Sequence, residues 1–125
     1  MLRRALLVLA LGVPLAAPAQ QAQRNFPHNA LRGELMVIAP PNVVLNGQPA
    51  RLAPGARIRG RDNMLVMSSA LVGQRHVVNY TLDPLGLVKD VWLLQAHENR
   101  SPWPKTAAEA ARWHFDPLAQ TWTKR

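Results

Sequence analysis

The chain has 125 residues, with 15 Lys and Arg against 7 Asp and Glu, and no cysteine. That length accommodates one domain rather than two. Without cysteine there is no disulfide, no thiolate metal site and no acylated N-terminal cysteine, so the fold must rest on its apolar core.

Met1-Leu2-Arg3-Arg4 is a short positive start, followed from Ala5 to Leu15 by an apolar run broken only by Gly12 and Pro14. Ala17-Pro18-Ala19 then supplies small residues where a signal peptidase reads them. A cut after Ala17 would place Pro18 against the cleaved bond, so the predicted cut follows Ala19. About eleven apolar residues fall short of the roughly 20 that span a bilayer, which points to a secretory signal and not to a membrane anchor. The expected location is the periplasm. The formal charge of +8 becomes +6 without Arg3 and Arg4. Such a surface suits anionic partners such as phosphate groups, nucleic acid, lipid headgroups or lipopolysaccharide. Simple solubility is the plainer explanation of the same charge.

Residues 20–30 are polar and lack apolar periodicity, as in a disordered leader. The predicted domain starts at Leu31. Leu35-Met36-Val37-Ile38 reads as a strand stopped by Pro40-Pro41, and Val43-Val44-Leu45 as a second. Asn46-Gly47 is a strong hairpin signal, because both central residues of that turn need positive φ. Short strands are expected at residues 50–52, 56–59 and 64–67, with turns at Pro54-Gly55 and Asp62-Asn63. Leu71-Val72-Gly73 is a strand start or a turn. In residues 76–82, His76, Val78, Tyr80 and Leu82 share one face. After the Asp83-Pro84-Leu85-Gly86 loop, residues 88–94 are apolar on both faces, with Val88, Asp90, Trp92 and Leu94 on one and Lys89, Val91 and Leu93 on the other. Such a strand needs a second layer over it.

The C-terminal piece is the expected layer. Thr106-Ala107-Ala108-Glu109 fits a helix capping box, Ala107, Ala110, Ala111 and His114 would share a helical face, and Pro117 bars continuation. The predicted fold is mainly β: a small antiparallel barrel of OB or SH3 type with about five or six strands, plus a short C-terminal helix and aromatic tail. The expected division is signal peptide 1–19, leader 20–30, barrel 31–97, and helix and tail 98–125 packing on the barrel.

The stretch Asn46-Gly47-Gln48-Pro49-Ala50-Arg51-Leu52-Ala53-Pro54-Gly55-Ala56-Arg57-Ile58-Arg59-Gly60 resembles small uncharacterised exported OB-like β-barrel proteins of Gram-negative bacteria. Leu71-Val72-Gly73-Gln74 and Asp83-Pro84-Leu85-Gly86-Leu87-Val88-Lys89-Asp90-Val91-Trp92 are similar to them too. The likeness covers roughly residues 31–97, with the Trp103 to Trp122 tail in the closer relatives. It implies an OB-like fold and export, and it brings no activity and no site residues.

His28, His76, His97 and His114 match no zinc spacing, and His76 is expected as a hydrogen-bonded core residue. Ser68-Ser69 lacks the glycine frame of a nucleophile elbow, and Asp83, Asp90 and Asp116 suggest no acid/base pair. No catalytic residue, metal or cofactor is therefore assigned. Arg57, Arg59 and Arg61 would share one strand face about 6–7 Å apart, with Arg51 nearby across a turn. Such a row could grip phosphates or carboxylates with forked hydrogen bonds. Alternatively it is a charged edge that prevents edge-to-edge pairing. Trp92, Trp103, Trp113 and Trp122 would serve as a stacking surface or, more often, as cement between tail and barrel. The functional expectation is a non-enzymatic binding or accessory module of the cell envelope, whose partner is an envelope protein or an anionic envelope polymer. The alternatives are a nucleic-acid or lipopolysaccharide binder using Arg51, Arg57, Arg59 and Arg61, and an enzyme without a recognisable site.

Overall fold

The structure is a computed structural model that describes residues 23–125. The expected signal peptide, its cut after Ala19 and residues 20–22 of the expected leader lie outside the described residues. Five strands close into a barrel: β1 (Leu31–Ala39), β2 (Asn42–Leu45), β3 (Gln48–Arg59), β4 (Arg75–Leu82) and β5 (Val88–Leu93), in the order β1-β2-β3-β5-β4. Four of the five pairings are antiparallel, but β3 and β5 run parallel. That corrects the expectation of an antiparallel barrel, and the reason is parity. Strands alternating up and down around a closed ring must be even in number, so a ring of five contains a parallel seam.

Period-two alternation builds the interior. Leu35 and Val37 of β1, Val43 of β2, Leu52 and Ile58 of β3, Val78 and Tyr80 of β4, and Val91 and Leu93 of β5 all point inward and are buried. Asn46 and Gly47 take φ of 53° and 78° in a two-residue loop, as the Asn-Gly pair requires. Gly33 is held to glycine by close approach. A Cβ there would lie 2.9 Å from the Tyr80 ring and 2.8 Å from Asn46 Oδ1.

The two short strands expected at 50–52 and 56–59 are one 12-residue strand, β3. Its pairing is irregular between Leu52 and Arg57, where Gly55 has φ 77°. The first part pairs with β2 and the last with β5, so this one strand turns the corner of the barrel. Residues 64–67 are not a core strand. Only Val66 packs against the core, while Met64, Leu65 and Met67 are exposed. They belong to the long β3–β4 connection, which ends in a single 3-10 turn at Ser68–Leu71.

β5 departs from simple alternation. Its register against β4 shifts between Asp90 and Val88, leaving Lys89 exposed and turning Val88 into the core beside Val91 and Leu93. Trp92 and Leu94 face outward, and they are covered. A second apolar cluster of Phe26, Ala30, Leu94 and Trp103, with Val77, Trp92, Phe115 and Trp122 against it, sits on the outer face of β4 and β5. Phe26 and Ala30 come from the segment expected as a disordered leader, so residues 24–30 are part of the packed structure. The aromatics that bury them were too far along the chain for a local reading to connect.

The C-terminal region also differs from expectation. It contains α1 (Ala96–Arg100), α2 (Ala107–Ala111) and a hairpin of β6 (Trp113–Asp116) with β7 (Thr121–Lys124). The alanine face of α2 is not a core face: Ala107 and Ala111 are exposed, Ala110 is half-buried, and the helix buries no residue fully. His114 is exposed on β6, where alternation turns Trp113 and Phe115 inward together. Half of the expected capping box forms: the Thr106 hydroxyl accepts from the Glu109 N–H at 3.0 Å, but Glu109 Oε1 accepts from the Lys105 N–H at 2.8 Å.

Two buried arginines fasten this layer to the barrel. Arg24 makes a forked contact with Glu98 and donates to the carbonyls of Gly60 and Leu93. Arg32 donates to Asn79 Oδ1 at 2.9 Å and to the carbonyls of Glu98, Asn99 and Ser101 at the end of α1. Burial lowers the Arg32 pKa to about 10, against an opposing pull from Glu98. It stays charged at neutral pH.

Candidate functional site

The four arginines singled out in the sequence do not form one row. Inward-facing Leu52 and Ile58 set the phase of β3, so Arg51, Arg57 and Arg59 point outward. Arg57 and Arg59 are neighbours on that face, about 7 Å apart by strand geometry. Arg51 lies six residues earlier, on the far side of the irregularity, at most about 20 Å along the strand. Arg61 has left the strand. Gly60 and residues 61–63 turn the chain, and Arg61 Nε donates to the Leu94 carbonyl at 3.1 Å. Its own carbonyl accepts from the Gln95 side chain, so Arg61 acts as a tie between the turn and the end of β5.

After that turn the chain doubles back along β3. The Gly60 N–H donates to the Met64 carbonyl and the Val66 N–H to the Ile58 carbonyl, both at 2.8 Å. Arg59 and Leu65 form an antiparallel bridge between these two bonds. Residues directly opposite in such a pair share a face. Ile58 and Val66 therefore point to the core, and Arg59 and Leu65 point out side by side. Two residues along, Arg57 and Met67 line the same groove of about 450 Å³, together with Pro40, Pro41 and Ala53. The result is a two-row outer surface, guanidinium groups on one row and large apolar side chains on the other.

This groove adjoins a second hollow of about 400 Å³ between Pro41, Pro54 and Leu87, where Arg51 stands. Leu52 and Ala53 line both. A shallow trough thus follows β3, with Arg51 towards one end and Arg57 towards the other. Across the parallel seam, Asp90 pairs with Arg57 and Trp92 with Arg59 in register. Asp90 is engaged with Thr81, whose hydroxyl accepts from the Asp90 N–H at 3.2 Å. Arg59 is half-buried between Leu65 and Trp92, while Arg57 and Arg51 are exposed.

A cavity of about 260 Å³ near Arg24, Arg32, Glu98 and Trp103 is a poorer candidate. Its charges already serve each other and the backbone. The tryptophans are similarly committed. Trp103 is buried, its Nε1 donates to the Ala30 carbonyl at 2.8 Å, and its ring meets Phe26, Phe115 and Trp122 edge-on at 5.5–5.8 Å. Phe115 and Trp122 lie 4.8 Å apart. These faces are spent on one another rather than offered to a ligand.

Among the described residues no group of three or more His, Asp or Glu is placed to hold a metal ion. His28, His97 and His114 are exposed and lie on separate elements. His76 is half-buried, with Nε2 3.0 Å from Gln74 Oε1 and Nδ1 without a partner. Burial first, and then the Arg61 charge, lower its pKa.

Leu65 and Met67 are the residues that sequence reasoning missed at this site. Their composition reads as core, and only the return of the chain along β3 shows which of residues 64–67 turns inward. No helix among the described residues is long and apolar enough to cross a membrane. No protein-family model matches the chain, and no match was found among curated proteins or solved structures.

Proposed function

We infer that the protein is a non-enzymatic binding module of the cell envelope, which takes an anionic polymer or headgroup along the outer face of β3. The observation that carries this reading is the adjacent outward pair Arg57 and Arg59 beside an open groove, with Arg51 further along the same trough. Guanidinium groups spaced along a strand match successive phosphates or carboxylates, and forked hydrogen bonds make each contact strong. The barrel is assigned to the OB type. In its support stand five strands closed in the order β1-β2-β3-β5-β4, and hollows that border the β1–β2 turn and the β4–β5 loop, where such barrels hold ligands. Export to the periplasm with cleavage after Ala19 rests on the order of charged, apolar and small residues at the N-terminus.

Retention on immobilised heparin tests the binding reading. Arg57→Ser with Arg59→Ser should elute at markedly lower salt, and the salt slope of binding should fall by roughly 0.7–0.9 for each anionic group that is no longer neutralised. Unchanged elution would return the arginines to the role of a charged, solvated strand. Intact-mass analysis of a periplasmic fraction tests export, with a mature chain beginning at Gln20 as the expected species.

A further inference from the structure

We propose that the Arg57–Arg59 and Leu65–Met67 rows together form a docking surface for an anionic lipid bilayer, the guanidinium groups engaging headgroup phosphates while the apolar row dips below them. This rests on the anion-binding reading of β3 and names the surface that the site would meet.

Two observations select a bilayer. Met64, Leu65 and Met67 are 68%, 66% and 76% exposed, although the segment that carries them is tied down by backbone bonds to Ile58 and Gly60. They are held out in solvent on an ordered support, not left over from a loose loop. Second, the apolar row lies directly beside the basic row, through the bridge between Arg59 and Leu65 and the groove shared by Arg57 and Met67. A soluble polyanion would use the arginines and leave Leu65 and Met67 in water. A bilayer surface offers phosphates and hydrocarbon within a few ångströms of each other, and uses both rows. The flexible thioethers of Met64 and Met67 suit an irregular, fluid surface better than a shaped pocket.

Co-sedimentation with vesicles tests this, using mixed phosphatidylglycerol and phosphatidylcholine against phosphatidylcholine alone, with heparin retention run in parallel. The full chain should bind the anionic vesicles and not the neutral ones. Leu65→Ser with Met67→Ser should weaken vesicle binding by about tenfold or more while leaving heparin retention intact. Arg57→Ser with Arg59→Ser should weaken vesicle binding by roughly 30-fold, from about 1 kcal/mol for each basic residue at the surface, and should also cut heparin retention. The chain contains no cysteine. Leu65→Cys can therefore be labelled at one site with a polarity-sensitive dye, whose emission should shift to the blue on anionic vesicles. Vesicle binding unaffected by the apolar pair of substitutions, or a dye that stays in water when the protein is bound, overturns insertion and leaves the arginine reading standing. Heparin retention without any vesicle binding marks a soluble polyanion as the ligand and overturns the bilayer. Heparin and vesicle binding both unaffected by the arginine pair overturn the two readings together.

Discussion

Two apolar patches on the outside of the barrel, one around Trp92 and one around Leu65, are treated in opposite ways by the chain. Around Val77, Trp92 and Leu94, three distant segments converge: Phe26 and Ala30 from the N-terminal side, Trp103 after α1, and Phe115 and Trp122 from the β6–β7 hairpin. Around Leu65 and Met67 nothing among the described residues covers the surface. The two patches flank the seam where Arg59 faces Trp92. A chain that brings aromatic partners from both of its ends to one patch has left the other bare beside its arginines. The covered patch is a stabilising layer. The bare one is where an external partner would find apolar area without displacing anything.

Removing the cover should have the largest effect. Trp103→Ala deletes a buried ring that touches Phe26, Phe115 and Trp122, and it orphans the Ala30 carbonyl. A loss of about 4 kcal/mol is expected in denaturant unfolding, within the range for large-to-small core changes. A loss below about 1 kcal/mol would mean that the aromatic layer is only loosely attached.

Next in size is the clasp between Arg24 and Glu98, both of which are buried. Glu98→Ala strands the Arg24 guanidinium, which should cost roughly 3 kcal/mol. Burial works to raise the Glu98 pKa, but the hydrogen bonds from Arg24 and from the Gln95 N–H, with the charges of Arg24 and His97, hold it below the ordinary glutamate value. A depressed carboxyl pKa stabilises the fold above the unfolded value, about 4.3, and that share is lost as pH falls through the folded value. Unfolding curves measured from pH 6 down to pH 3 should show this acid loss, and Glu98→Gln should flatten it. An unchanged slope in the variant would assign the acid sensitivity to other carboxyls.

Gly33→Ala probes the barrel interior alone. The added methyl would press into the Tyr80 ring and Asn46, with an expected cost of about 2 kcal/mol. The bare patch should respond least. Leu65→Ser and Met67→Ser should each change stability by less than about 0.5 kcal/mol, because these side chains bury little to begin with. A substantial destabilisation there would turn the bare patch into a structural one and remove its claim to a partner.

Local chemistry made much of this architecture legible. The Asn46-Gly47 hairpin, the inward set Val78 and Tyr80, and the need for a layer over β5 all follow from turn preference and period-two alternation, which involve residues close in sequence. The outward aim of Arg57 and Arg59 follows from Ile58 in the same way. A mainly β barrel with aromatic residues at its C-terminal side was within reach of such reasoning.

Long-range contacts decided the rest. The parallel seam comes from closing a ring of five, which no single strand encodes. Val88 turned inward because β5 slips by one residue against β4, and a one-residue slip exchanges faces. Residues 24–30 look polar and shapeless by themselves, yet Arg24 and Phe26 become buried because Glu98, Trp92 and Trp103 arrive from far along the chain. The same holds for the candidate surface. Met64-Leu65-Val66-Met67 is apolar throughout, and composition treats its members alike. Pairing with the end of β3 sends Val66 into the core and sets Leu65 beside Arg59 in the open, because opposite residues on adjoining strands must share a face.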